Sequence, residues 1–409
     1  MSGNKVLVAG ASIAGPALAH WLHRRGAEVT VVERAAGLRP GGQAVDARGV
    51  TKEVIRRMGL EAEVRAARTD TAGAYTVDAD GNVVETFRAQ DNGGDGYIAD
   101  IEILRGDLSQ VLYDDTRDGV EYVFGDRIAG LTQDADGVDV TFASGNRRRF
   151  DLVIGADGLH SALREMVFGP RERFIRHLGL VLAFYSVPNE FDVDRWMIDY
   201  QEAGRSAGLR PIGDPDRAMA MLSFPAADFD VDHRDIEAQK RLLRERMAGF
   251  GWLTPRILAH VDDTPDFYLD QVAQVVMDRW SSGRVGLLGD AASCSSPMSG
   301  GGTGIALVGA YLLAGELAAA GWDPEVGFAA YEARMRPFVE ANQEIGRMHV
   351  DQLLQVPGSA EPDAEPAPEP DMEALMALVE RAINGVELPD YAGVPDSGAK
   401  VAAASSESR

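Results

Sequence analysis

The stretch Gly289-Asp290-Ala291-Ala292, followed by Pro297 and then Gly300-Gly301-Gly302, sets one acid among residues with almost no side chain. A carboxylate so placed can accept hydrogen bonds from ligand hydroxyls. Its small neighbours let backbone N–H groups come close to a flat or anionic group. A Gly-Asp pair alone means little. It gains weight because the chain opens on Gly10-Ala11-Ser12-Ile13-Ala14-Gly15 and carries Asp157-Gly158 in between.

The first of these has the G-x-G-x-x-G frame with serine at the second glycine. Gly10 permits the tight turn, Ser12 is small enough for backbone to approach a pyrophosphate, and Gly15 allows close helix–strand packing. A helix starting near Ile13 and Ala14 offers free N–H groups and partial positive charge to phosphates. Glu33 stands 18 residues past Gly15, at the end of the next strand, where a carboxylate can accept both ribose hydroxyls; Arg34 follows it. A packing turn without a ligand would not require strand, helix and Glu33 in this register.

Positioning these groups requires a βαβ unit over 5–33: a strand at Lys5–Ala9, a helix from Ile13 to Arg25 ending at Gly26, and the β-branched strand Val29–Val32. Residues 73–88 alternate around Asp80-Gly81 as a hairpin, and Arg105–Thr116 reads as an amphipathic helix. A small meander is punctuated by Gly137 and Gly145, and Leu152–Ile154 returns as a buried strand. Between about 170 and 280 longer strands dominate (178–187, 218–224, 267–277), with a helix near 236–247. Arg284–Leu288 re-enters the first domain, and helices run from about Thr303 to Leu354. The expected architecture is α/β (α+β). A Rossmann-like nucleotide-binding domain, 1–169 and 281–356, carries C-terminal helices, and an antiparallel β-sheet substrate domain, 170–280, is inserted into it. An acidic, Pro-rich linker over 357–371 and a C-terminal helix with a disordered tail over 372–409 complete the chain.

At 409 residues and 45% hydrophobic, the chain can bury a large core. A net charge of -24 argues against nucleic acid, whose binding rests on Lys and Arg. One cysteine, Cys294, excludes an internal disulfide and a Cys-pair redox centre and fits a reducing cytoplasm. No signal peptide is visible ahead of the first strand, and none is expected. The uncharged run 291–315 contains only a short apolar part, 305–314, expected as a buried helix rather than a membrane span.

Asp151-Leu152-Val153-Ile154-Gly155-Ala156-Asp157-Gly158-Leu159-His160-Ser161-Ala162-Leu163-Arg164 matches D-x-x-I-G-A-D-G-x-x-S-x-x-R at every fixed position. With the Gly289-Asp290 segment, this chain resembles, over roughly 4–350, the class A, single-component FAD-dependent monooxygenases of the p-hydroxybenzoate hydroxylase fold. The likeness is greatest to the tetracycline-inactivating and antibiotic-pathway branches. The resemblance implies FAD, NADPH or NADH as a transient co-substrate, O2, and oxygen transfer through a flavin C4a-hydroperoxide. It implies that Asp157, Gly158 and Arg164 lie beside the FAD pyrophosphate, that Asp290 bonds a ribityl hydroxyl, and that Arg105 contacts FAD. Pro297, Gly300, Gly301 and Gly302 then run past the isoalloxazine edge as backbone donors, and Arg48 meets the flavin ring. The chain departs from the family at Ser293, where His is usual, and at Gly309, where an acid is common.

The implied partner is an aromatic or polyketide-like small molecule, and the protein is expected as a monomer or homodimer. The substrate region carries no motif; His177, Tyr185, Arg195, Tyr200, Met219 and Met221 are candidates by alternation alone. No histidine spacing suits a metal. Hydroxylation, Baeyer–Villiger insertion and flavin dehydrogenation stay open, as does a non-catalytic flavin-fold binding protein. A disulfide oxidoreductase lacks its cysteine pair here, and a flavin halogenase its Trp-x-Trp.

Overall fold

The computed structural model describes residues 3–96, 98–227, 229–232, 235–355 and 371–391. The expected linker, all but its last residue, and the tail lie outside the described residues.

Strands Lys5–Ala9, Glu28–Glu33, Leu152–Gly155, Val285–Leu287 and Glu121–Phe124 form one parallel sheet with a short antiparallel edge, Ser281–Ser282. Near-continuous apolar runs such as Val6-Leu7-Val8 and Leu152-Val153-Ile154 suit strands buried on both faces. The register sets Ala9 beside both Val32 and Gly155, so three strands end together. Ligands of open α/β sheets bind at such carboxyl ends. The nucleotide-type domain is discontinuous, because Val285–Leu287 pairs with Leu152–Gly155 across more than a hundred residues.

Helix Gly302–Ala319 is long and apolar enough, by length and composition, to cross a membrane, so its length alone does not argue against a span as expected. Its Thr303–Leu317 residues are buried, and it packs against Ala14–Arg24, Val50–Met58 and Pro324–Leu354. The expected helical stretch 303–354 breaks at Gly321-Trp322, both at positive φ. Asp323 then caps the second helix by accepting from Glu325 N and Val326 N.

The second sheet has seven strands, in the order Tyr268–Val275, Ile175–Pro188, Arg217–Pro225, Arg205–Pro211, Trp196–Glu202, Gly73–Val77, Val83–Arg88. Two expectations need correction. The hairpin 73–88 belongs to this sheet, so residues 170–280 alone do not complete it. The sheet is also not wholly antiparallel, since Trp196–Glu202 runs parallel to Gly73–Val77. Hairpin residues adjacent in sequence are thus joined to the distant strands by pairing that local pattern does not reveal. One face of the sheet, with Ala183, Tyr185, Ala207, Leu209 and Leu222, packs on Leu243, Met247, Phe250 and Ile257. Period-two alternation turns Leu182, Phe184, Met197, Asp199, Arg210, Met219 and Met221 the other way, towards the parallel domain.

Candidate active site

Between the two sheets lies a cavity of about 1170 Å³. Fifteen of the expected residues line it: Gly10, Ser12, Ile13, Ala14, Glu33, Arg34, Arg48, Arg105, Asp157, Gly158, Asp290, Pro297, Gly300, Gly301 and Gly302. Gly15, Gly289 and Arg164 do not, each for a reason visible in the backbone.

Gly10 has φ +109, and its N–H donates to Val32 O at 2.8 Å. A Cβ there would collide with the Ala156 carbonyl oxygen, and one at Gly15 with Gly10 O. Gly15 therefore closes the turn from behind instead of facing a ligand. Gly289, at φ +62, has the same role where Val285–Leu287 ends; its Cβ would press on Ala14. Glu33 is held in place by accepting from Ala11 N at 3.0 Å and Ala35 N at 2.9 Å.

Arg105 donates to Ser12 Oγ at 3.2 Å. Burial, then the nearby Arg39 guanidinium, lowers its pKa. Two cations held together beside a helix N-terminus are an arrangement that an anionic group relieves.

Asp157 caps the short helix Ala162–Phe168, accepting from Ser161 Oγ (2.5 Å), Ala162 N (2.8 Å) and Leu163 N (3.2 Å). Burial raises its pKa while these bonds pull the other way. The expectation of a phosphate contact from Arg164 is corrected. Its side chain is fully buried and donates to Ala291 O (2.9 Å) and Leu159 O (2.6 Å). The helix that Asp157 and Ser161 cap turns Arg164 inward, where it ties together the Asp157-Gly158 turn and the Gly289–Ala292 turn.

Asp290 presents its carboxyl openly to the cavity, yet enough chain crowds round it that desolvation raises its pKa, with the Cys294 thiol as a weak partner. A carboxyl open to the cavity with only a thiol beside it suits ligand hydroxyls. Cys294 itself is buried, and burial followed by Asp290 pushes its thiol well above the ordinary range, which makes it a poor nucleophile. The Pro297–Gly302 segment ends at the N-terminus of the Gly302–Ala319 helix. Gly301 has room for no side chain, because Asn342 Oδ1 fills the place of a Cβ. Asn342 Nδ2 in turn donates to Phe338 O and Ala382 O, both at 2.9 Å. Arg48 is bound to Asp46 Oδ2 (2.8 Å) and Gly96 O (3.1 Å) beside Gly300.

Of the substrate-region candidates, Met219 and Met221 line the cavity. Tyr185 and Tyr200 are on the opposite face, bonded to Ile257 O and Glu202, and Arg195 is spent on Asp70 at the surface. His177 is not among the lining residues. Sequence reasoning missed Asp46, Glu102, Asp199, Arg210 and Asn342, all on the cavity wall. An acid inside an otherwise apolar short strand, as at Asp46 and Glu102, was the one signal available.

Comparison with known proteins gives a consistent result. The model of a family described as "FAD binding domain" matches residues 4–345. A flavin-dependent monooxygenase of Legionella longbeachae is 37% identical, over 96% of this chain and 99% of its own length. An uncharacterized protein of Mycobacterium tuberculosis is 45% identical, over 94% of this chain and 99% of its own. The crystal structure of tetracycline destructase Tet(55) superposes with a TM-score of 0.83 at 37% identity, covering 95% of this chain and 99% of that one.

Proposed function

We propose, from the premise that this chain belongs to the class A FAD-dependent monooxygenase family, that it uses NAD(P)H to place one atom of O2 on a phenolic or polycyclic small molecule. The observation that carries this reading is the single cavity reaching from the Gly10 turn to Met219 and Met221. At about 1170 Å³ it exceeds the roughly 300–1,000 Å³ typical of one ligand. The tetracycline destructase name of a neighbour that covers nearly the whole chain supports a polycyclic substrate.

FAD, when bound, supplies the hydride acceptance and O2 activation that no side chain can provide. Glu33 and Asp290 would hold its hydroxyls; the Ser12–Ala14 turn and Arg105 would hold its phosphates. The N–H groups at Gly302 stabilise negative charge at the helix N-terminus without a competing side chain. Pro297 and the three glycines keep space beside that point, and the sheet face with Phe184, Met219 and Met221 excludes water and orients an apolar ring system. Only one dinucleotide turn exists in the sequence, so the nicotinamide would bind transiently. The single cysteine suits a reducing, cytoplasmic setting.

Reaction under labelled O2 tests the reading: one labelled atom should appear in the product, and NAD(P)H should be consumed with it. Product without label, after allowing for carbonyl exchange, would replace oxygenation with dehydrogenation. Acid precipitation should leave the yellow chromophore in the supernatant, since Cys294 is not poised to bond it.

Asp290→Ala should weaken FAD binding by about 1.5–3 kcal/mol, roughly ten- to a hundredfold, through loss of a charge-assisted hydrogen bond to the cavity-facing carboxyl. Titration of apoprotein with FAD, followed by flavin fluorescence, reads this directly. Undiminished affinity would remove Asp290 from the cofactor site.

A further inference from the structure

The short antiparallel ladder Ala44–Asp46 with Glu102–Leu104 puts Asp46 directly opposite Glu102, and both line the cavity. Like charges opposed across such a pair repel, and the more so when buried. A third carboxyl, Asp199, reaches the same wall from Trp196–Glu202, where Gly208 leaves it room. Two guanidiniums face these three acids. Arg48 pairs with Asp46 at 2.8 Å and Arg210 with Asp199 at 3.5 Å.

Glu102 is treated differently. It is 6% exposed, and Thr69 Oγ1 (2.7 Å) and Thr71 Oγ1 (2.6 Å) both donate to its Oε1. Among the described residues, no side chain or backbone group bonds Oε2. Three carboxyls against two guanidiniums, with both ion pairs on the other two acids, leave Glu102 as the one to keep its proton.

We infer that Glu102 is a neutral carboxylic acid whose Oε2 hydroxyl donates a hydrogen bond to an acceptor oxygen of the substrate, a carbonyl or enolic oxygen; this rests on the oxygenation reading above. A neutral acid can recognise such an oxygen, whereas a carboxylate would reject it. The electrostatics agree in direction. Burial, then Asp46, raises Glu102, against the opposing pull of Thr71, Thr69 and Arg210. Asp199 and Asp46 are also raised by burial, but each has its own guanidinium.

The sign of the pH dependence follows. A carboxyl raised on folding binds its proton more tightly in the native chain than in the unfolded one. Its contribution therefore costs more stability as pH climbs above the unfolded value of about 4.3. Glu102→Gln removes that cost, so the Tm of the variant minus that of wild type should widen as pH rises. The infrared spectrum of full-length holoenzyme at neutral pH should contain a carboxylic-acid C=O band that Glu102→Gln removes. With tetracycline as the probe, Glu102→Gln keeps a donor and should lower kcat/KM by less than about threefold, while Glu102→Leu lowers it about tenfold or more.

Absence of the band, a Tm difference independent of pH, or a glutamine variant as impaired as the leucine one would overturn the assignment. If wild type leaves tetracycline untouched while the band and the widening Tm difference are present, the neutral donor stands and the substrate class proposed above fails.

Discussion

Gly10→Ala should purify without flavin. At φ +109 an alanine is strained on its own account, and its Cβ would drive into the Ala156 carbonyl. Backbone cannot yield there as a long side chain can, because Gly10 N is bonded to Val32 O and Ala156 N to Ala9 O. Backbone strain of about 1–3 kcal/mol and overpacking of about the same size put the cost at roughly 2–6 kcal/mol. The displaced turn is the one that carries Ser12, Ile13 and Ala14 on the cavity wall. The ratio of flavin to protein absorbance after purification measures the loss, and circular dichroism on heating measures the stability. Ser12→Gly, which restores the full glycine frame, should keep its flavin. Stoichiometric flavin in Gly10→Ala would show that this turn is not where the cofactor rests.

Arg164→Ala should be destabilised by about 3–5 kcal/mol, although Arg164 touches no ligand space. The substitution leaves Leu159 O and Ala291 O without their donor and opens a void where a fully buried side chain stood. Because those carbonyls belong to the two turns that carry Asp157-Gly158 and Asp290, FAD affinity should fall with stability. Arg164→Lys should recover only part of the loss, since one ammonium does not reproduce the two-armed reach of the guanidinium. Chemical denaturation of apoprotein separates the two effects: a variant with wild-type stability and weakened FAD binding would restore Arg164 to the cofactor contact first expected.

That expectation for Arg164 marks the limit of local reasoning. Its place in the D-G-x-x-S-x-x-R spacing is plain in the sequence, but its direction depends on a helix capped by Asp157 and Ser161. Tyr185 and Tyr200 show the same limit. Alternation puts residues on two faces, and nothing in a strand says which face another domain covers. Two strands went unread: in Trp196–Glu202 the acids Asp199 and Glu202 dilute the β pattern, and in Arg205–Pro211 alanine, glycine and proline do so.

The amino-acid sequence by itself determined what short-range sterics and periodicity govern. Gly10 and Gly15 make the turn, Glu33 ends the second strand, buried β-branched runs make the parallel sheet, and Asp290 stands among small residues. Tertiary structure alone decided which distant groups meet. Strand register set Asp46 against Glu102, the inserted sheet brought Asp199 and Arg210 to the same wall, and the long helix carried Asn342 to Gly301. These groups lie from tens to more than a hundred positions apart, and their energies depend on burial and mutual charge, quantities that exist only once the chain has closed around the cavity.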